Sequence, residues 1–315
     1  MSRVERGPRS PVTPAGGSRA STEPSERVEV LSHEMTTRPE NAPGLEARRA
    51  RALQLVRAGR SSEAIPHLRS ELEGSDSGVE WLISETTTAM EAGDLGLAGR
   101  LAKLLSVLRY GPNEGRASKT PVPGPMLSVG KLRHDAEQIR HLRKIGVLGA
   151  PFDDVAAAYD RTAERLDENG KETRLALSEL DDDLVTNTYG RIAHVREAPR
   201  LEHAISDRWD PEAAQEAYLT GKPGVVVIDD FLVPEALESL RRFCLESTVW
   251  LANRYPNGRL GSFFVDGFNA PLLLQIAEEL RERLGRIIGD RHPLRQLWGF
   301  KYPPRLPGEI GRAHV

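Results

Sequence analysis

The chain has a single cysteine, Cys244, among 315 residues, so no disulfide can form within it. That scarcity fits a reducing compartment, and a cytoplasmic location is the expectation. Aromatic residues are sparse at 5%. Lysine is scarcer still, with seven of the 43 basic residues. The arginine excess, beside abundant Ala and Gly, reads as the imprint of a GC-rich genome. No apolar run approaches the roughly 18 residues that span a bilayer. The N-terminus lacks the apolar core of a secretory signal. Charge of either sign is not in excess: the net value is -3 and the pI about 6.3. Without a basic footprint, nucleic acid is not an expected partner, and a membrane is not one either. Also missing are G-x-x-x-x-G-K-[ST], G-x-S-x-G, H-E-x-x-H and C-x-x-C, which argues against the chemistries those spacings support. What is present is 39% hydrophobic and 28% charged residues, enough for cores and for roughly two domains.

Residues 1–44 are rich in Pro, Ser, Gly, Arg and Glu and poor in aliphatics. Such a segment cannot bury enough surface to offset its ordering entropy, so it is predicted to be disordered. Either Met1 or Met35 can serve as the start. From Leu45 the pattern turns helical, with a break at Gly59 and a second helix from Glu63 to Leu72 that carries Pro66 in its first turn. A second pair follows, Val79 to Ala92 and Leu95 to Leu108. A shift of 34 residues superposes Gly59 on Gly93, Ala58 on Ala92 and Ala64 on Ala98. That helix–turn–helix period, over 45–110, resembles the tetratricopeptide repeat. An ordinary pair of helical hairpins fits the same residues.

Residues 111–126 are rich in Pro and Gly and read as a linker. Residues 127–220 read as a helical region. Leu127 to Leu148 is amphipathic, with Leu132, Ile139 and Leu142 on one face. His134 and His141 share a stripe without a carboxylate on it, and are read as packed or solvated rather than as metal ligands. Phe152 to Leu166 is a further helix. The acidic run Glu179 to Asp183 suits a helix start, as does Trp209-Asp210-Pro211.

At Gly224 the register changes. Val225-Val-Val-Ile228 is predicted to be a buried strand, ending at Asp229-Asp230. Pro234 opens a helix, Glu235 to Ser247, with Leu237, Leu240, Phe243 and Cys244 inward. Trp250 to Tyr255 and Leu260 to Val265 are expected to form a hairpin. A helix from Pro271 to Ile288 follows, and residues 295–302 return to strand. Asp229, Asp230 and Asp266 are read as turn and cap residues.

The phrases Gly-Val-Val-Val-Ile-Asp-Asp-Phe-Leu, Leu-Arg-Arg-Phe-Cys-Leu-Glu-Ser-Thr-Val-Trp and Leu-Trp-Gly-Phe-Lys-Tyr carry a resemblance. Over residues 127–308 the chain resembles bacterial proteins that join tetratricopeptide-like helices to an iron(II)/2-oxoglutarate-dependent oxygenase of the prolyl-4-hydroxylase-like group. The resemblance implies an α+β chain: an N-terminal α-helical repeat region followed by an incomplete double-stranded β-helix (jelly roll) over 221–308. It implies iron(II) and 2-oxoglutarate as cofactors of the parent family, held by two His and one carboxylate that leave open positions. It also implies a hydroxylation reaction, and a protein partner or protein substrate for the helical repeats. Among site residues only Tyr302 carries over, as a hydrogen-bond partner of the co-substrate.

The last seven residues, Glu309-Ile-Gly-Arg-Ala-His-Val315, are what a common sequencing-library adapter encodes in one frame. They are expected to be foreign, with the natural protein continuing past about residue 308. The family's His-x-Asp would fall just beyond Tyr302, so His314 is read as adapter-encoded. The chain is therefore expected to lack every metal ligand, to bind no iron and to be inactive. A non-enzymatic helical-repeat adaptor is the alternative reading.

Overall fold

The computed structural model describes residues 44–72, 77–111, 126–167, 174–255, 258–289 and 292–302. The expected disorder up to residue 43, most of the 111–126 linker, the turn after Tyr302 and the tail with His314 lie outside them. The chain is α+β, mostly helical, with a few short antiparallel strands. No helix among the described residues is long and apolar enough to cross a membrane.

Four helices come first: α1 (Leu45–Arg57), α2 (Ser61–Leu72), α3 (Ser77–Glu91) and α4 (Leu95–Tyr110). They form two hairpins with matching turns. Gly59 and Gly93 adopt φ of 76° and 77°, the left-handed conformation that ends a helix cheaply only at glycine. The hydrogen bonds match as well. Arg60 N donates to Leu55 O and Asp94 N to Ala89 O, both at 2.9 Å. Asp94 then caps α4 by accepting from Leu97 N at 2.9 Å. Ala64 and Ala98, one period apart, are both fully buried where the helices meet. One detail differs from the sequence reading: α2 starts at Ser61, so Pro66 lies inside the helix rather than in its first turn. Its ring there removes one intrahelical hydrogen bond.

A second layer pairs α5 (Val129–Lys144) with α6 (Pro151–Leu166). Leu132, Leu142, Val155, Tyr159 and Ala163 fill the seam between them. Two-residue strands β1 (Met126–Leu127) and β2 (Leu175–Ala176) pair antiparallel beside it. A short helix α7 (Asp183–Thr188) is capped by Asp182 and brings Tyr189 edge-on to Tyr159, with centroids 6.0 Å apart. Helix α8 (Pro211–Thr220) starts at the expected place, with Asp210 accepting from Glu212 N and Ala213 N.

The third part holds α9 (Pro234–Glu246), β3 (Leu260–Phe263), α10 (Pro271–Arg283) and β4 (Trp298–Lys301). Strands β3 and β4 are antiparallel, with Leu260 opposite Lys301 and Phe263 opposite Trp298. The expected hairpin between 250–255 and 260–265 is reduced to a single bridge, Ala252 to Gly261. Side chains alternate across the β3–β4 pair. Leu260 faces Phe243 of α9, Leu272 of α10, Trp250 and Phe268 in one core. Phe263 and Phe300 point the other way and meet edge-on at 6.4 Å. Trp298, Phe300 and Tyr302 share that second face and are exposed.

Three expectations are corrected here. Val225–Ile228 forms no strand and has no ladder partner among the described residues, and Val225 and Val227 are 67% and 83% exposed. β-Branched content favours extended backbone, but burial depends on neighbours, and no described residue covers Val225 and Val227. Leu237, expected inward on α9, is exposed, and the buried stripe runs through Ala236 and Phe243. The apolar residues after Arg283 do not prolong α10, which gives way to turns from Leu284.

The parts are joined by shared cores. Leu274 of α10 and Phe264 belong to the core of the α1–α4 hairpins. A Cβ placed on Gly99 of α4 would stand 2.7 Å from Leu274 Cδ1, so the glycine sets how closely α10 approaches.

Candidate functional site

A cleft of about 690 Å³ lies where the hairpins meet the strand-bearing part. Thr86 and Met90 of α3, Arg109 and Tyr110 at the end of α4, and the segments Leu251–Arg254, Phe263–Asp266 and Arg295–Leu297 form its walls. Its size falls within the ordinary range for small-molecule pockets. Arg109, Arg174, Arg254, Arg295 and Lys131 line it against one carboxylate, Asp266.

Asp266 is more than a turn residue. It closes a short 3-10 turn after β3 and accepts the Tyr110 hydroxyl at 3.0 Å. Arg109 Nη1 stands 3.5 Å from the same oxygen. Burial pushes the Asp266 carboxyl above its usual range, against the pull of Tyr110, Arg109 and Arg254. Burial and the neighbouring carboxylate likewise raise the Tyr110 phenol, which therefore stays the proton donor of the pair.

Behind the cleft is a buried polar network. Lys131 on α5 is 3% exposed; its Nζ donates to Asp135 Oδ2 at 2.6 Å and to Trp250 O at 3.0 Å. Its ammonium also lies 5.4 Å from the Tyr189 ring centroid. His134 Nδ1 faces Asp135 Oδ1 at 2.9 Å, and Lys301 Nζ reaches His134 Nε2 at 3.2 Å. A neutral imidazole with its proton on Nδ1 satisfies both contacts. Burial pushes His134 below its usual value, with Lys301 and Lys131 adding to the shift against Asp135. Burial acts to raise Asp135, but Lys131 and His134 outweigh it and hold the carboxyl low. Lys301 sits 4.6 Å above the Trp250 ring. Burial lowers its ammonium to about 8, despite the opposing effects of Cys244 and Asp135. Burial raises the Cys244 thiol, only partly offset by Lys301.

The sequence-selected residues fall in different places. His134 joins this network, whereas His141, on the same helix, is exposed. Asp230 sits in a turn at φ 50° and lies 3.8 Å from Arg208. Asp229 belongs to the same turn. Tyr302 is 69% exposed just past β4, with the Arg259 guanidinium 5.8 Å from its ring, and it lies outside the cleft wall. Among the described residues, no three His, Cys, Asp or Glu side chains group so that they could hold a metal ion. The described residues therefore do not supply the facial triad that the resemblance implies. Sequence reading missed the cleft because its arginines come from segments far apart in the chain and no local spacing marks them. No protein-family model, curated protein or solved structure matches the chain.

Proposed function

We propose that this chain carries the helical braces and first strands of an iron(II)/2-oxoglutarate-dependent oxygenase of the prolyl-4-hydroxylase-like group, joined to tetratricopeptide-like hairpins. The observation behind the reading is the asymmetry of the β3–β4 pair. One face sits on Trp250 and Phe268, in a core shared with Phe243 of α9 and Leu272 of α10, while the other carries the aromatic row Trp298, Phe300 and Tyr302. In the family the chain resembles, helices brace one of the two facing sheets of the jelly roll, and the other face of that sheet looks onto the interior. In this reading Tyr302 is the residue aimed at the co-substrate, and the metal ligands are not among the described residues. No step of oxygen chemistry is assigned to the described side chains.

The test is to read the gene in an independent assembly through and beyond codon 308. A His-x-Asp soon after Tyr302, followed by a distal His and an Arg or Lys for the co-substrate, is the expected result. A reading frame without them would overturn the proposal. This chain is expected to show no 1:1 binding of iron(II) with 2-oxoglutarate in calorimetry.

A second reading, a non-enzymatic helical adaptor, draws on the hairpins. Their matching left-handed glycines and buried alanines, one period apart, are what a stacked repeat requires. The same gene reading separates the two, because an adaptor needs no ligand set.

A further inference from the structure

The cleft's charge balance is uneven once each cation is matched to its partner. Lys131 is neutralised by Asp135 at 2.6 Å. Arg295 is matched by Glu91 at 3.2 Å. Arg109 shares Asp266 with the Tyr110 hydroxyl. Arg174 and Arg254 remain. Arg174 Nη2 donates to the carbonyl of Asn253 at 3.1 Å, which ties it to the backbone next to Arg254. Arg254 lies 5.7 Å from the Tyr255 ring and contacts no carboxylate among the described residues. Both arginines thus line the cavity wall around one backbone segment, exposed, and neither forms an ion pair among the described residues. The remaining wall is largely apolar, with Leu251, Val265 and Leu297.

We infer that this cleft binds an organic dianion, a phosphate monoester or a dicarboxylate, whose charged end pairs with Arg174 and Arg254 and whose apolar body lies against Leu251, Val265 and Leu297. Guanidinium forks match both oxyanion types through paired N–H donors. An anion that binds the folded chain and not the unfolded one also stabilises the fold. Asp266 already occupies Arg109, at 3.5 Å, so the anion is left to Arg174 and Arg254. The inference is independent of the oxygenase reading, since it uses no metal and no residue beyond Tyr302.

The experiment is calorimetric titration of the full chain with phenyl phosphate and with phthalate, each to about 10 mM, with benzyl alcohol as the neutral control. Both dianions are expected to bind and to raise the melting temperature, benzyl alcohol to do neither, and inorganic phosphate to bind more weakly than phenyl phosphate. Arg174→Gln and Arg254→Gln are each expected to weaken phenyl phosphate about tenfold or more, because each loses a charge-assisted pair. Arg208→Gln, at an exposed arginine beside Asp230 outside the cleft wall, is expected to leave binding unchanged. Circular dichroism checks that each variant is folded, and the two single variants serve as separate tests. The inference is overturned if neither dianion binds, if benzyl alcohol binds as tightly, or if a folded Arg254→Gln retains full affinity.

Discussion

Lys301 Nζ donates to His134 Nε2 across 3.2 Å, joining strand β4 to helix α5 over a sequence separation of 167 residues. Burial of Lys301 at this contact sets a pH dependence. The folded ammonium titrates at about 8, below its ordinary value of 10.5, because it is buried. Between those values the unfolded chain holds the proton and the folded chain does not, so stability rises with pH across that window. The slope from one such group is at most about 1.4 kcal/mol per pH unit. Lys301→Met is expected to remove this rise, read as the difference between variant and wild-type urea midpoints from pH 7 to 10. An unchanged difference across that range would show that the ammonium is not perturbed.

The two left-handed glycines give a matched pair of predictions. Gly59→Ala and Gly93→Ala each place a Cβ at φ of 76° or 77°. Both positions have open space around the added atom, so the cost is backbone strain alone, about 1–2 kcal/mol each. Equal losses in thermal unfolding are expected. Unequal losses would show that the two turns are not structurally equivalent.

The α4–α10 crossing can be tested by coupling. Gly99→Leu forces side-chain atoms into Leu274, 5% exposed in the shared core, and is expected to cost about 1–3 kcal/mol. Leu274→Ala alone opens a cavity and costs about 2–5 kcal/mol. The double variant is expected to be more stable than the sum of the two losses allows, since the new side chain fills the space left behind. Strict additivity in a denaturant cycle would mean that the two helices do not touch there.

Gln138 on α5 is 7% exposed and donates to Leu245 O and Ser247 O, both at 2.9 Å. It thereby satisfies carbonyls at the end of α9 that the helix itself leaves unpaired. Gln138→Leu is expected to cost about 1–3 kcal/mol. Gln138→Glu sets a carboxylate against two carbonyl oxygens. It is expected to cost more than Leu at pH 7 and to recover relative to wild type as the introduced carboxyl protonates in acid. A Glu variant as stable as wild type at pH 7 would rule out the contact.

What was legible in the chain was local. The 3.6-residue period and Gly59 and Gly93 mark the hairpins, and Pro211, Pro234 and Pro271 mark three helix starts to the residue. Strand β4 was expected over 295–302 and occupies Trp298–Lys301. The failures came where tertiary neighbours decide. Val225–Ile228 has the composition of a buried strand but no partner, and Leu237 fits the apolar period of α9 yet faces solvent. Nor could any spacing rule place Lys301 beside His134, or bring Arg109, Arg174 and Arg254 to one cleft. The arginines looked like base composition because each stands alone in its own segment.

Leu274 and Phe264, packed into the hairpin core, have a consequence for how the polypeptide can be divided. A break between Tyr110 and Met126 splits one hydrophobic core between two pieces. Neither half then covers its own apolar surface. Two such halves made in the same cell should find each other and restore a single fold by complementation in trans.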